Sequence, residues 1–355
     1  MVVLCDQGLS RGHTLTLKHF IFDEASNIIG VGVGTAGCRV ASKISEFKTG
    51  IHRFYYVSCD ENDLKGLSDS LYIPLTSLRR EPAVVRGAGV KHLNKIREVV
   101  KGAKLTVIVS GLGGATGSGL APLVAEAAKE QGSLVLAVAI MPSNFECSKL
   151  FYASITLRHL SRTCDHILVI DNNDFTQILS DKPILHVYEE INERLAFALS
   201  RLLGAFEKED YAVGLEKTVT TSIKDRFTLL ALSDRVDMLE AVSEAVASIY
   251  KKADLNEAES ALLYLSGSKN LLAGEVEDSV KHLTTLLKEG SVRVEYGFST
   301  SGYSKVTSVV LVSGFKRINF ANYDVLDNIF EPERRLDPGP ECALDVPLGN
   351  LSQLE

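Results

Sequence analysis

The chain has 355 residues, 45% of them hydrophobic and 23% charged, with 38 basic against 45 acidic side chains and a net charge of −7. That balance belongs to a folded globular protein of roughly two domains, and it excludes a wholly disordered, collagen-like or disulfide-framework chain. The acidic excess argues against a general nucleic-acid binder, which depends on Lys and Arg at phosphates.

The six cysteines (Cys5, Cys38, Cys59, Cys147, Cys164 and Cys342) are scattered, with no C-x-x-C pair and no His at zinc-ligand spacing. Reduced thiols and no protein-built metal site are the expectation. The first residues lack a basic segment followed by an apolar stretch, and no run approaches the ~20 apolar residues that span a bilayer. A soluble cytoplasmic protein is therefore expected.

Residues 1–26 are mixed and read as a loosely packed extension. Asn27-Ile28-Ile29-Gly30-Val31-Gly32 reads as a buried strand entering a glycine turn, with a helix over 41–47. Strands are predicted at 54–57, 71–75, 105–109, 134–140 and 167–170. Between them, a loop carrying Arg86-Gly87-Ala88-Gly89 precedes a helix to 100, and further helices are predicted over 120–131 and 156–164. Strands alternating with helices over ~150 residues argue a parallel sheet covered on both faces, and apolar runs without alternation fit doubly buried strands. The fold class predicted is α/β, with a Rossmann-like domain over 27–182.

A helix follows over 183–206, its apolar residues Ile184, Tyr188, Ile191, Leu195, Leu199, Leu202 and Phe206 recurring every three or four positions. An α+β domain is expected over 207–318. It has strands at 228–232 and 261–265, helices at 239–252 and 276–288, and a strand pair, 292–298 and 306–312, joined by the turn Thr300-Ser301-Gly302. Residues 319–355, rich in Pro and charge, read as a flexible tail.

Two glycine turns carry the chemistry. Gly32-Val33-Gly34-Thr35-Ala36-Gly37 is G-x-G-x-x-G at a strand-to-helix turn, with Asp60 at the end of the next strand, 23 residues past Gly37. That pattern favours a dinucleotide, the acid holding a ribose, over a tight turn that merely needs glycine. The second turn, Ser110-Gly111-Leu112-Gly113-Gly114-Ala115-Thr116-Gly117-Ser118-Gly119, has five glycines in nine residues between a strand and a helix. It offers backbone N–H groups and two hydroxyls to an anion. No P-loop lysine is present, so a polyphosphate there calls for Mg²⁺ to offset its charge.

Gly113-Gly114-Ala115-Thr116-Gly117-Ser118-Gly119 resembles the tubulin/FtsZ signature G-G-G-T-G-[ST]-G, with Ala115 at the third glycine. Ser58-Cys59-Asp60, Met141-Pro142-Ser143-Asn144-Phe145-Glu146, Ile167-Leu168-Val169-Ile170-Asp171-Asn172-Asn173 and Val310-Leu311-Val312-Ser313-Gly314-Phe315 resemble further FtsZ segments, so the likeness runs from about residue 27 to 315. The resemblance implies a GTP/GDP-binding domain, a long central helix and a C-terminal domain. By position Gly34, Ala36, Gly37 and Cys38 would form the first phosphate loop, Cys38 standing where the family has Asn. Arg86, Gly87, Ala88 and Gly89 would approach the terminal phosphate, and residues Gly113, Gly114, Ala115, Thr116, Gly117, Ser118 and Gly119 would cradle the phosphates. Glu146 would contact the ribose, and Asn172 and Asn192 would read guanine. The family's ribose-side Arg falls on Leu150, next to Lys149.

The family hydrolyses GTP at a subunit junction with an N-x-D-x-x-D loop after the central helix. One register through Asp210-Tyr211-Ala212 puts Val213 at the second acid; another, through Gly214-Leu215, puts Val219 and Ser222 at the two acids. Neither supplies both carboxylates, so slow or absent hydrolysis is expected, with Asp210 and Glu216 the remaining catalytic candidates. In the tail, Leu344-Asp345-Val346-Pro347-Leu348 is similar to the short FtsZ peptide that docks on membrane adaptors. The resemblance implies a cytoskeletal protein that polymerises head to tail, with a role in cell division and a place at the division site. An NAD-dependent dehydrogenase and a non-hydrolysing regulatory member of the family are the alternatives.

Overall fold

The computed structural model describes residues 27–178, 183–204, 214–222, 224, 226–267, 271–288, 291–300 and 305–318. The extension 1–26, Asp210 and the peptide Leu344-Asp345-Val346-Pro347-Leu348 lie outside them. The first half alternates as the sequence predicts. It runs β1 (Ile28–Val33), α1 (Gly34–Ser45), β2 (Arg53–Ser58), a 3₁₀ turn (Glu61–Leu64), β3 (Ser70–Tyr72), α2 (Pro82–Lys91), α3 (Leu93–Val99) and β4 (Leu105–Gly111). It continues through α4 (Ala115–Glu130), β5 (Leu134–Met141), α5 (Cys147–Thr163), β6 (His166–Asp171) and α6 (Asn172–Ile178). The second half holds α7 (Ile184–Leu202), α8 (Gly214–Thr221), β7 (Phe227–Arg235), α9 (Met238–Tyr250), β8 (Ser260–Gly267), α10 (Ala273–Leu286), β9 (Arg293–Thr300) and β10 (Val306–Phe315).

The ten strands form one sheet in the order β3-β2-β1-β4-β5-β6-β7-β10-β8-β9. Every pairing is parallel except the two made by β10, which runs antiparallel between β7 and β8. Its first six strands have the order of a doubly wound nucleotide fold, in which ligands bind outside the carboxyl ends of the strands where the winding reverses, here between β1 and β4. Both faces are covered. Leu105, Val107 and Val109 of β4 join the core beneath α1, α7 and α8, while Ile108 joins the core beneath α2 to α5. That two-sided burial is why the strands read as unbroken apolar runs.

Four expectations change. Arg86-Gly87-Ala88-Gly89 is not a loop but the middle of α2, which starts with Pro82 in its first turn. Pro fixes a helical φ and lacks an N–H that the first turn cannot use, so the helix begins earlier than the glycines suggest. Helices α1 and α4 likewise start inside the glycine motifs, at Gly34 and Ala115, rather than after them. Strands β9 and β10 are not a hairpin, because β8 lies between them. β10 is buried along nearly its whole length and takes an interior place, while the half-exposed β9 takes the edge. Lastly, α7 ends at Leu202, about 28 Å from its start at 1.5 Å per residue.

Candidate nucleotide site

The two glycine turns are neighbours because β1 and β4 are paired in parallel, Val33 opposite Ser110. β1 runs directly into α1, and β4 reaches α4 across residues 112–114; neither helix has a side-chain cap or an acidic residue in its first turn. The first N–H groups of a helix have no intrahelical partner, and the dipole places partial positive charge there. Two such ends at one sheet edge form a site for an anion.

The glycines divide into two kinds. A Cβ on Gly37 would lie 2.2 Å from the Val109 carbonyl oxygen, and one on Gly117 would lie 2.1 Å from that of Gly111. Gly34, at φ +71°, sits with its would-be Cβ 3.0 Å from the Gly117 nitrogen. Gly34 and Gly37 lock the first turn against β4 and the second turn, and Gly117 closes the second turn on itself. Gly114, the residue before α4, has nothing within 4 Å of such an atom and leaves open space above the helix end. The hydroxyls are partly committed: Ser118 Oγ accepts from the Gly113 N–H at 2.8 Å, and the Thr116 hydroxyl meets the Cys59 thiol. Cys38 is fully buried beneath the first turn, its thiol 3.4 Å from the Gly32 carbonyl oxygen, and burial pushes its pKa up to about 12. Ala36 packs toward Gly111.

Three polar atoms at successive strand ends are buried without a hydrogen-bond partner among the described residues. They are Ser110 Oγ on β4, Ser143 Oγ just after β5 and Asn172 Oδ1 just after β6. Buried polar groups are nearly always satisfied, so three orphans along one sheet edge mark a place completed by something the chain does not supply. An orphan acceptor at Asn172 suits the N1–H and 2-amino donors of guanine; adenine presents an acceptor at N1.

Glu146 lies near that end. Its carboxylate pairs with Lys149, accepts from the Ser143 N–H at 3.2 Å and meets the Tyr188 hydroxyl. Tyr188 stands on α7 four residues before Asn192, so both residues share one helix face. Sequence reasoning counted Tyr188 only as a core position, although an aromatic at i−4 from a candidate base reader was visible.

The sequence-expected terminal-phosphate segment is placed elsewhere. Arg86 reaches Glu126 on α4 at 3.0 Å, and Glu126 also meets His159 Nε2 at 2.9 Å. A Cβ on Gly89 would strike Leu120 and Leu123, and Gly87 faces open space. Ala88 packs against the same core. The start of α2 comes closer to the cradle, since a Cβ on Gly119 would meet the Pro82 carbonyl oxygen at 2.8 Å. The basic residues before that start, Arg79 and Arg80, were missed. Arg80 holds Asp60 at 2.8 Å, and this contact keeps the Asp60 carboxyl below its usual range. Asp60 also caps the 3₁₀ turn through Asn62, so the acid expected to hold a ribose in a dehydrogenase is already engaged.

The carboxylate set for hydrolysis is thin. Val219 and Ser222 are buried at 4% and 3% exposure, while Glu216 lies half-buried on α8. No group of three or more His, Cys, Asp or Glu side chains suited to a metal occurs among the described residues.

The family model for the GTPase domain of the Tubulin/FtsZ family matches residues 81–180. Cell division protein FtsZ 2 of Methanocaldococcus jannaschii is 26% identical over 302 residues, covering 79% of this chain and 77% of that protein. An FtsZ dimer from M. jannaschii superposes with a TM-score of 0.68 at 22% identity, over 86% of this chain and 93% of that one. A GTPγS-bound CetZ2 protofilament from Haloferax volcanii gives 0.63 at 20% identity, over 82% and 94%. The chain is thus similar in sequence to FtsZ proteins and shares the fold of the FtsZ and CetZ2 structures. The segment matched by the family model spans α2 to α6, and so includes the second glycine turn and Asn172 but not the first turn or α7.

Proposed function

We propose that this FtsZ-like protein binds GTP at the carboxyl edge of β1 and β4 to β6 and assembles head to tail with further copies of itself. The observation that carries this reading is the row of orphaned polar atoms at Ser110, Ser143 and Asn172 beside two uncapped helix starts. The backbone of Gly34, Ala36, Gly37 and Cys38 and that of Gly113 to Gly119 would hold the phosphates, and Glu146 the ribose. Asn172 and Asn192 would read the base. Gly87, Ala88 and Gly89 are left out of this set, and Arg80, which stands just before α2 and pairs with Asp60, takes their place. Mg²⁺ bound with GTP would offset phosphate charge, which no lysine in the glycine turns does.

The FtsZ dimer and CetZ2 protofilament support self-association, and a head-to-tail contact is open-ended. GTP hydrolysis is slow or lost, since buried Val219 and Ser222 leave Glu216 as the described acid on α8, with Asp210 outside the described residues. The same observation favours a second reading, a regulatory family member that binds GTP without turning it over. A role in cell division accords with the relatives' names; a cytoplasmic location and the tail peptide Leu344-Asp345-Val346-Pro347-Leu348 engaging a membrane adaptor belong to the same proposal. No described helix is long and apolar enough to cross a membrane.

Sedimentation with GTP and Mg²⁺, run beside phosphate release, tests both halves. Polymer in the pellet with little phosphate released is expected. Affinity for NAD without affinity for GTP would reject the assignment.

A further inference from the structure

A lysine from the C-terminal half is buried beneath the base end of this site. Lys252, two residues past α9, places its ammonium 2.7 Å from both carboxylate oxygens of Asp174, 3.4 Å from Asp171 Oδ2 and 2.7 Å from Ser248 Oγ. Its side chain is 11% exposed, and those of Asp171 and Asp174 are 6% and 15% exposed. The two acids bracket Asn172 and Asn173, Asp171 closing β6 and Asp174 standing in the first turn of α6. Asp171 Oδ1 accepts from the Asn173 N–H at 2.9 Å and from its side-chain amide at 2.8 Å. Asn173 in turn exchanges hydrogen bonds with Asn144, at 2.8 and 3.1 Å, two residues before Glu146. One cation therefore sits between two like charges packed around Asn172, whose side-chain Oδ1 has no partner.

We propose that Lys252 is a positioning residue for base recognition: its ammonium clamps Asp171 and Asp174, fixes the Asn172 turn and ties guanine binding to the C-terminal half of the molecule. Buried like charges without a counter-ion repel strongly, so removal of the cation forces the two carboxylates apart or onto a shared proton. Either response displaces the backbone that carries Asn172. The helix starts that face the phosphates belong to β1 and β4 and do not depend on this cluster. By linkage, a base held by the clamped turn must in return stabilise the packing of α9 against it. The clamp rests on the GTP reading above, and the experiment separates the two.

The full-length protein, Lys252→Met and the double variant Lys252→Met/Asp174→Asn are titrated with fluorescent GTP and ATP analogues, and hydrogen exchange is followed over residues 238–250. In the wild type GTP binding slows that exchange. In Lys252→Met the GTP-to-ATP affinity ratio falls at least tenfold, ATP affinity changes less than twofold, and the slowing disappears. The double variant removes the cation together with one carboxylate and so keeps the net charge of the cluster. It regains the ratio to within threefold of wild type and still shows no slowing. Lys252→Met that keeps both the ratio and the slowing overturns the clamp. If Lys252→Met does not fold, a double variant that keeps the slowing overturns it. A wild type that binds no GTP rejects the nucleotide reading, and the clamp with it.

Discussion

At the residue scale, the glycines in the phosphate turns are not equivalent, and the difference decides which substitution informs on binding. Gly117 looks like the natural probe, but a side chain there would drive into the Gly111 carbonyl oxygen at 2.1 Å. Gly117→Val is expected to fail as a folded protein. Gly114 has ordinary extended backbone and open space around it. Gly114→Val should keep its melting temperature within about 2 °C, since surface changes away from packed features cost little, while GTP affinity drops at least tenfold. Calorimetric titration beside a thermal melt checks both. The buried thiols make a second case. Burial raises Cys38 and Cys164 from 9.0 to about 12, and Cys59 to about 11. A folded-state pKa above the unfolded one means that the native state holds its proton more tightly. Stability from these groups is therefore complete below pH 9 and is lost progressively as pH rises toward 12. Cys38→Ala should flatten that alkaline loss in denaturant titrations run between pH 8 and 11.

At the element scale, α7 and α8 differ in what they leave for a site. Helix α7 puts Leu195, Leu199 and Leu202 into the core and keeps Tyr188 and Asn192 on a shared, half-buried face. Arg194 fixes its rotation by pairing with Asp234 on β7 and with Glu190 one turn back. Asn192→Ala should lower GTP affinity roughly tenfold with little change for ATP, as expected for the loss of hydrogen bonds to one base edge. Helix α8 spends the positions that could carry acids on packing instead: Leu215 and Val219 are buried, and Thr218 donates to the Leu202 carbonyl oxygen at 2.6 Å. Val219→Asp would place an uncompensated carboxylate in that core, at a cost on the order of 3–5 kcal/mol. The outcome expected is a sharply lower melting temperature with no gain in phosphate release.

For the molecule as a whole, the continuous sheet is the dominant fact. β6 and β7 pair in parallel from Ile167 opposite Phe227 to Ile170 opposite Leu230. The half that carries the glycine turns and the C-terminal half therefore share one hydrogen-bonded framework, with the Lys252 cluster as a second tie beside it. A ligand that binds only the folded state stabilises it by RT ln(1 + [L]/Kd), about 2.7 kcal/mol at a hundredfold excess over Kd. GTP should accordingly raise the melting temperature by several degrees, and NAD at equal concentration should leave it unchanged. Differential scanning calorimetry gives the comparison directly.

Much was fixed by the sequence alone. Apolar runs such as Leu105-Thr106-Val107-Ile108-Val109 cannot face water on either side, so a doubly covered parallel sheet follows from their composition. Likewise, two glycine turns after such strands demand close backbone approach at one edge. Only the folded chain decided which residues those turns serve. Gly117 packs against Gly111 and Gly114 does not, Arg86 turns to Glu126, Arg80 comes to Asp60, and β8 separates β9 from β10. Local periodicity carries burial, because burial is a property of each residue and its near neighbours. Pairing between distant residues, such as Lys252 with Asp171 and Asp174, leaves no mark at any spacing along the chain; it exists only once the sheet has brought the two halves together.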